Sequence, residues 1–212
     1  MKLYTYFRSS AAWRVRIALN LKGLPYEPEF VHLLRDGGEQ HLPDFRATNP
    51  VGLVPVLEAD DETVLTQSLA IVEWLEETHP TPPLLPKDAT ARAQVRAFAL
   101  VVACDIHPIN NLRVLRYLKR DLGQEQEAID TWYRHWIAQA LPALEAMVQG
   151  DGPFCFGAAP TLAEICLVPQ LANARRYNCP LDGFPRLLRA EAACAALPAF
   201  QAAAPDRQAD SG

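Results

Sequence analysis

Four prolines within the eight residues His79-Pro80-Thr81-Pro82-Pro83-Leu84-Leu85-Pro86 divide this chain into two stretches of different character. Proline has no N–H to donate, cannot continue a helix and is excluded from central strands, so such a run marks a boundary between domains. Residues 1–80 are expected to form one domain, residues 81–88 a proline-rich linker, and residues 89–212 a second domain ending in a frayed polar tail from Pro205 onward. Half of the 212 residues are apolar, enough for substantial buried cores.

Before the boundary, short strand-like runs alternate with helical ones. Lys2-Leu3-Tyr4-Thr5-Tyr6 is β-prone. From Ala11 to Lys22, Trp13, Ile17, Ala18 and Leu21 share one helical face, Arg14, Asn20 and Lys22 fall off it, and Gly23 supplies the stop. Tyr26 to Leu33 reads as a second strand, followed by a polar stretch with a short helix. Val54 to Glu58 and Thr63 to Thr66 read as an antiparallel hairpin, and Gln67 to Thr78 as helix. The order β-α-β-α-β-β-α, with a helical crossover between the first two strands and a turn between the last two, is thioredoxin-like. Beyond the prolines, Val95, Phe98, Ala99, Val102, Ile106 and Ile109 step by three and four, as do Ile129, Trp132, Trp136 and Ala140. The fold class is therefore α+β with two domains, the second all-helical and kinked at Pro108 and Pro169.

Charge and cysteine content narrow the function. The net charge is -5 and the basic residues are scattered, which argues against a nucleic-acid partner. No apolar run approaches the roughly 18 residues of a membrane span, and Arg8, Arg14 and Arg16 interrupt any leader-like start. Five cysteines without a C-x-x-C pair fit reduced, mostly buried thiols in a cytoplasm. The five histidines show no metal-ligand spacing, so no metal is expected.

Three constellations in the first half carry chemistry. In Arg8-Ser9-Ser10-Ala11-Ala12-Trp13 a strand ends, a hydroxyl appears and a helix begins. A serine there either caps the helix or gives its hydroxyl to a bound thiolate. Such a bond contributes roughly 1.5–3 kcal/mol and the helix dipole about 0.3–1 kcal/mol, together near two pKa units. In Asn49-Pro50-Val51-Gly52-Leu53-Val54-Pro55, Pro55 opens a strand-like run. A cis Val54–Pro55 bond would turn the Val54 N–H and C=O outward to pair with an extended peptide, whereas a trans bond would be an ordinary edge-strand proline. At Thr66-Gln67-Ser68-Leu69 a second strand-to-helix junction offers either a plain N-cap or a carboxylate site.

These segments resemble the zeta class of glutathione transferases, the family of maleylacetoacetate and maleylpyruvate isomerases. Ser9-Ser10-Ala11-Ala12-Trp13-Arg14-Val15-Arg16-Ile17-Ala18-Leu19 is similar to the family signature S-S-C-x-W-R-V-R-I-A-L, with Ala11 in place of its cysteine. Further matches are Asn49-Pro50 to Val54-Pro55, Gln67-Ser68-Leu69-Ala70-Ile71 and Val168-Pro169-Gln170-Leu171-Ala172-Asn173-Ala174. Pro160-Thr161-Leu162-Ala163-Glu164 resembles the helix-capping box these proteins share, a structural feature.

The resemblance implies the glutathione-transferase fold and glutathione as cofactor. It assigns Ser9 to the glutathione sulfur, Val54 to the cysteinyl backbone, Gln67 and Ser68 to the γ-glutamyl carboxylate, and His41 to the glycyl end. His107, Asn110 and Asn111, in Asp105-Ile106-His107-Pro108-Ile109-Asn110-Asn111-Leu112-Arg113, lie in a stretch near the bound molecules, and Asn110 and Asn111 are candidate donors. Arg8 and Arg176 are the candidates for gripping a dianionic substrate, since a planar guanidinium holds carboxylate bidentately; the alternative for Arg176 is a helix-end charge. The expected activity is glutathione-dependent cis–trans isomerisation of a maleyl dicarboxylate to its fumaryl isomer in aromatic-compound catabolism, in a cytoplasmic homodimer. The rivals are a general transferase that conjugates or dehalogenates small electrophiles, and a non-catalytic binding module.

Overall fold

The computed structural model describes residues 1–211. They separate into two compact units: Met1–Leu84 joined by the C-terminal residues from Ala195 onward, and Leu85–Cys194. In the first unit β1 (Lys2–Thr5), α1 (Ser10–Leu21), β2 (Glu27–Phe30), α2 (Pro43–Thr48), β3 (Val56–Glu58), β4 (Val64–Thr66) and α3 (Ser68–Thr78) follow the expected order. The sheet runs β2-β1-β3-β4, with β1 parallel to β2 and antiparallel to β3, and β4 antiparallel to β3. β2 is shorter than its apolar pattern implied, and all four residues are exposed, because Glu27, Pro28 and Glu29 suit an edge and nothing deeper.

Leu3, Val15, Ile17, Leu19, Val56, Leu57, Ile71 and Leu75 are completely buried and form this unit's core. α1 departs from the sequence reading: Arg14 and Lys22, placed off its apolar face, are buried along with Arg16. The cause is that α1 packs against both α3 and the C-terminal helix, so few of its positions reach water. Each buried cation is bonded. Lys22 Nζ donates to Glu76 Oε2 at 2.6 Å and to the carbonyls of His79 and Pro82 at 2.7 and 2.8 Å. Glu76 Oε2 also accepts the Leu84 N–H at 2.8 Å, so the first part of the proline-rich segment is tied into this unit and is not a bare linker.

In the second unit α4 (Ala89–Leu100) runs into a π-helical stretch, Val101–Ile106, and is followed by α5 (Leu112–Arg120), α6 (Gln126–Met147), α7 (Leu162–Arg176) and α8 (Pro185–Ala195). The expected kink at Pro108 is absent because that residue lies in the turn after the π-helical stretch, outside any helix; Pro169 does lie within α7. The buried stripe of α6 is Ile129, Tyr133, Ile137, Leu141 and Leu144, one position on from the expected Trp132 and Trp136, which flank it half-buried. α7 begins with the expected capping box: Ala163 N–H donates to Thr161 Oγ1 at 3.2 Å and Thr161 N–H to Glu164 Oε2 at 2.7 Å.

α9 (Pro198–Ala203) and two short 3₁₀ turns, Pro205–Arg207 and Ala209–Ser211, belong to the first unit. The expected fraying from Pro205 is therefore corrected, because Asp210 and Ala203 accept hydrogen bonds from Phe7 and Arg16 near the start of the chain.

Of the five cysteines, Cys104 alone is exposed. Burial, reinforced by the negative charge of Glu164, pushes the Cys155 and Cys194 thiols far up, and burial also raises Cys179. A thiol-reactive chromophore at pH 8 should therefore titrate one thiol quickly and the other four only in denaturant. Two or more fast thiols in the native protein would contradict this packing.

Candidate active site

Strand register brings the three first-half constellations to one end of the sheet's strands. Tyr4 pairs with Val56 and Val56 with Thr66, so the end of β1, the start of β3 and the end of β4 lie side by side. The segments that continue from those points are Tyr6 to Ser9, Val54-Pro55 and Gln67-Ser68.

Ser9 is the N-cap of α1, with φ -70° and ψ 112°, and its Oγ accepts the Ala12 N–H at 3.2 Å. The two readings of this serine are compatible. A cap occupies one oxygen lone pair, and the single O–H proton stays available to a bound anion. Ser9 is partly exposed and the neighbouring Arg8 exposed, its guanidinium carbon 6.0 Å from the Phe7 ring centroid.

The Val54–Pro55 peptide bond is cis. Val54 lies beyond the end of the β1–β3 ladder, and the loop leading to it is closed by Asn49, which is nearly fully buried. Asn49 Nδ2 donates to the Leu53 carbonyl at 2.7 Å, and its Oδ1 accepts the Val51 N–H at 3.1 Å. Gly52 sits at φ +68°, and a Cβ there would come within 3.1 Å of the Gln40 carbonyl, so this loop packs closely on the 3₁₀ turn Glu39–His41. His41 is exposed on that turn, its Nε2 3.1 Å from Gln40 Nε2.

Ser68 is not the N-cap its sequence position allowed. Gln67 is, at φ 70° and ψ 117°, a strained conformation for a residue with a side chain, and Ser68 is the first helical residue. Gln67 makes no side-chain capping bond, so the first N–H groups of α3 keep the unsatisfied, anion-attracting character of a helix start. The Ser68 hydroxyl accepts from buried Arg14 Nη1 at 3.3 Å, a cation behind the helix start that the sequence reading missed.

The remaining candidates lie in the second unit. His107 is the C-cap of the π-helical stretch, and π turns recur at functional positions. Asn110 is buried; its Nδ2 donates to the Tyr133 carbonyl at 3.2 Å, while its Oδ1 has no partner among the described residues. Asn111 caps α5, its Oδ1 accepting the Arg113 N–H at 3.1 Å, so this residue has a structural task of its own.

Arg175 and Arg176 separate clearly. Arg175 is paired with Glu191, whose hydrogen bond to the guanidinium raises its pKa. Arg176 is exposed and lies 5.0 Å above the Tyr177 ring, with Nη2 donating to Tyr177 Oη at 3.4 Å. Tyr177 stacks on buried Tyr133 at 3.6 Å between centroids. This pair escaped sequence reading; the only available signal was the i, i+4 stripe of α6 on which Tyr133 falls.

Among the described residues no cluster of His, Cys, Asp or Glu could hold a metal ion. A thioredoxin-like domain with a hydroxyl at the first helix start, a cis-proline before β3 and a polar helix start after β4, followed by a helical domain, defines a class. The family model described as glutathione S-transferase, N-terminal domain, matches residues 3–83, and that described as glutathione S-transferase, C-terminal domain, matches residues 130–201. The chain belongs to the glutathione S-transferase family.

Its relatives narrow the class further. Maleylpyruvate isomerase of a Ralstonia species is 51% identical over 215 residues, covering all of both chains. A holo structure of maleylpyruvate isomerase, described as a bacterial glutathione S-transferase of the zeta class, superposes with a TM-score of 0.96 at 48% identity over the whole of both chains. The structure of maleylacetoacetate isomerase from Anaeromyxobacter dehalogenans, with glutathione bound in its active site, has a TM-score of 0.88 and 50% identity, covering 100% of this chain and 97% of that one.

Proposed function

We propose that this protein is a glutathione-dependent cis–trans isomerase that converts a maleyl dicarboxylate, maleylacetoacetate or maleylpyruvate, to its fumaryl isomer. The observation that carries the reading is the Ser9 hydroxyl, which caps α1 through its oxygen and keeps its proton for a bound sulfur. When bound, glutathione supplies a thiolate nucleophile that is regenerated at the end of the cycle.

The chain's own residues bind, orient and stabilise. Ser9 donates its O–H to the sulfur and favours the ionised form over the thiol. The Val54 backbone, beyond the end of the β1–β3 ladder, pairs with the cysteinyl residue as an added strand. Gln67 and the first N–H groups of α3 receive the γ-glutamyl carboxylate, with buried Arg14 behind Ser68 adding positive charge, and His41 takes the glycyl end. Arg8 and Arg176, both exposed and neither in an ion pair among the described residues, hold the substrate carboxylates; Asn110, expected as a donor, has its Nδ2 engaged by the Tyr133 carbonyl, and its unpartnered Oδ1 accepts from an N–H or O–H and not from a carboxylate. Asn111 contributes chiefly by fixing the start of α5.

No helix among the described residues is long and apolar enough to cross a membrane. The reading places the enzyme in the cytoplasm on five cysteines that form no disulfide, and as a homodimer on its family membership.

Steady-state assays with both maleyl substrates should show turnover only when glutathione is added, and glutathione-independent turnover would refute the mechanism. Arg8→Ala and Arg176→Ala should each raise KM for the dianion about tenfold or more, the loss of a charged hydrogen bond, with glutathione affinity little changed. Undiminished turnover of the dianion in both variants would favour a transferase that conjugates neutral electrophiles.

A further inference from the structure

Tyr6, Phe7, Arg8 and Ser9 form a β-turn closed by the Ser9 N–H to the Tyr6 carbonyl at 3.0 Å. Phe7 and Arg8 are its central residues, and loop backbone of this kind usually bonds to water. Here both polar groups of Phe7 are taken by charged side chains. Its N–H donates to Asp210 Oδ2 at 2.9 Å, and its carbonyl accepts from Arg16 Nη2 at 3.0 Å.

The two charges come from opposite ends of the chain. Arg16, fully buried in α1, also donates to the Tyr6 carbonyl at 3.3 Å, to Thr5 Oγ1 at 2.9 Å and to the Ala203 carbonyl at 3.0 Å. Asp210 lies in the last 3₁₀ turn, 203 residues from Phe7, and its Oδ1 is buried with no hydrogen-bond partner among the described residues. Its one hydrogen bond among the described residues is the charge-assisted bond to Phe7, and its negative charge also acts on the buried Arg16 guanidinium.

We propose that Asp210 is a positioning residue for the reaction: by fixing Phe7 it sets the direction of the Arg8 side chain and of the Ser9 O–H. The proposal rests on the reading of Ser9 as the thiolate's donor. Sites of this kind tolerate only about 0.5 Å of misplacement, so a turn held from one side only aims its hydroxyl poorly. The C-terminal segment is thus part of the active-site support.

The test uses the full chain with glutathione and a maleyl dicarboxylate. Asp210→Ala should lower kcat/KM about tenfold, raise KM for glutathione and raise the pKa of the bound thiol, read from thiolate absorbance. Asp210→Asn, whose amide oxygen still accepts the Phe7 N–H, should recover most of the loss. Asn20→Ala is the matched control, because Asn20 Nδ2 holds the same segment through the Ala199 carbonyl at 3.1 Å without touching the turn. It should lower thermal stability while leaving the bound thiol's pKa at the wild-type value.

Wild-type kinetics and thiol pKa in Asp210→Ala would overturn the proposal, and so would an equal pKa shift in Asn20→Ala, which would make the segment merely structural. A wild-type protein that binds no glutathione would sink the reading of Ser9 and this proposal with it. That failure is recognisable because the unmodified chain itself would be inactive.

Discussion

Ser9→Gly should lower kcat/KM for isomerisation by roughly 10- to 100-fold and raise the pKa of bound glutathione by about one to two units. Both effects follow from losing one hydroxyl donor to a charged sulfur. The sign fixes the pH dependence. A thiol whose pKa is raised is less ionised at any pH below it, so the deficit is largest at low pH. It shrinks as pH climbs past the new value, about 8.5 for an unassisted thiol. Glycine is the informative replacement because the same oxygen caps α1 by accepting the Ala12 N–H. Glycine costs a cap only a few tenths of a kcal/mol, whereas alanine costs about 1 kcal/mol. Ser9→Ala should therefore lose the same activity as Ser9→Gly and additionally melt a few degrees lower. Full activity in the glycine variant would remove Ser9 from catalysis and leave it as a cap.

Glu76→Leu should destabilise the protein by about 3–5 kcal/mol, the usual consequence of leaving a buried ammonium without its counter-charge. The Lys22 side chain is completely buried, and once Glu76 is gone its Nζ keeps only the carbonyls of His79 and Pro82. For a chain of this length each kcal/mol is about 2–4 °C in Tm, so a fall on the order of 10 °C is expected. Adding Lys22→Met removes the stranded charge and should restore much of the loss. Recovery should stop short of wild type, because the Leu84 N–H still lacks the acceptor that Glu76 provided. Thermal melts of the two single variants and the double variant form a cycle. A Glu76→Leu protein within about 1 kcal/mol of wild type would show that Lys22 escapes to solvent and that the pair does not hold the proline-rich segment.

Much of the candidate site was legible because it sits where local signals are strongest, at strand-to-helix junctions. Ser9 and Gln67-Ser68 each fall at such a junction, Val54-Pro55 stands where a loop enters a strand, and the order of elements followed from apolar periodicity, strand propensity and turn residues. The errors lie where local pattern competes with distant packing. Arg14 and Lys22 read as surface residues because periodicity weighs neighbours three and four positions away, and it cannot see α3 and α9 closing over the other side of α1. Of the adjacent Arg175 and Arg176 the resemblance singles out Arg176, and the ion pair that occupies Arg175 depends on Glu191 of α8, which local pattern does not show. Tyr177 likewise gains its place beneath Arg176 from Tyr133, 44 positions earlier on another helix.

What the sequence determined by itself was the two-part division at the prolines, the β-α-β-α-β-β-α order and the family-specific run from Ser9 to Leu19. These depend on dihedral preference and apolar spacing, which act over a few residues. What only the tertiary structure decided was which charges are buried and that the last described residues grip the turn carrying Ser9. The bonds responsible join residues 54, 187 and 203 positions apart. A charge is tolerated in the interior only when the fold delivers its partner, so its burial becomes readable once the distant segments have met.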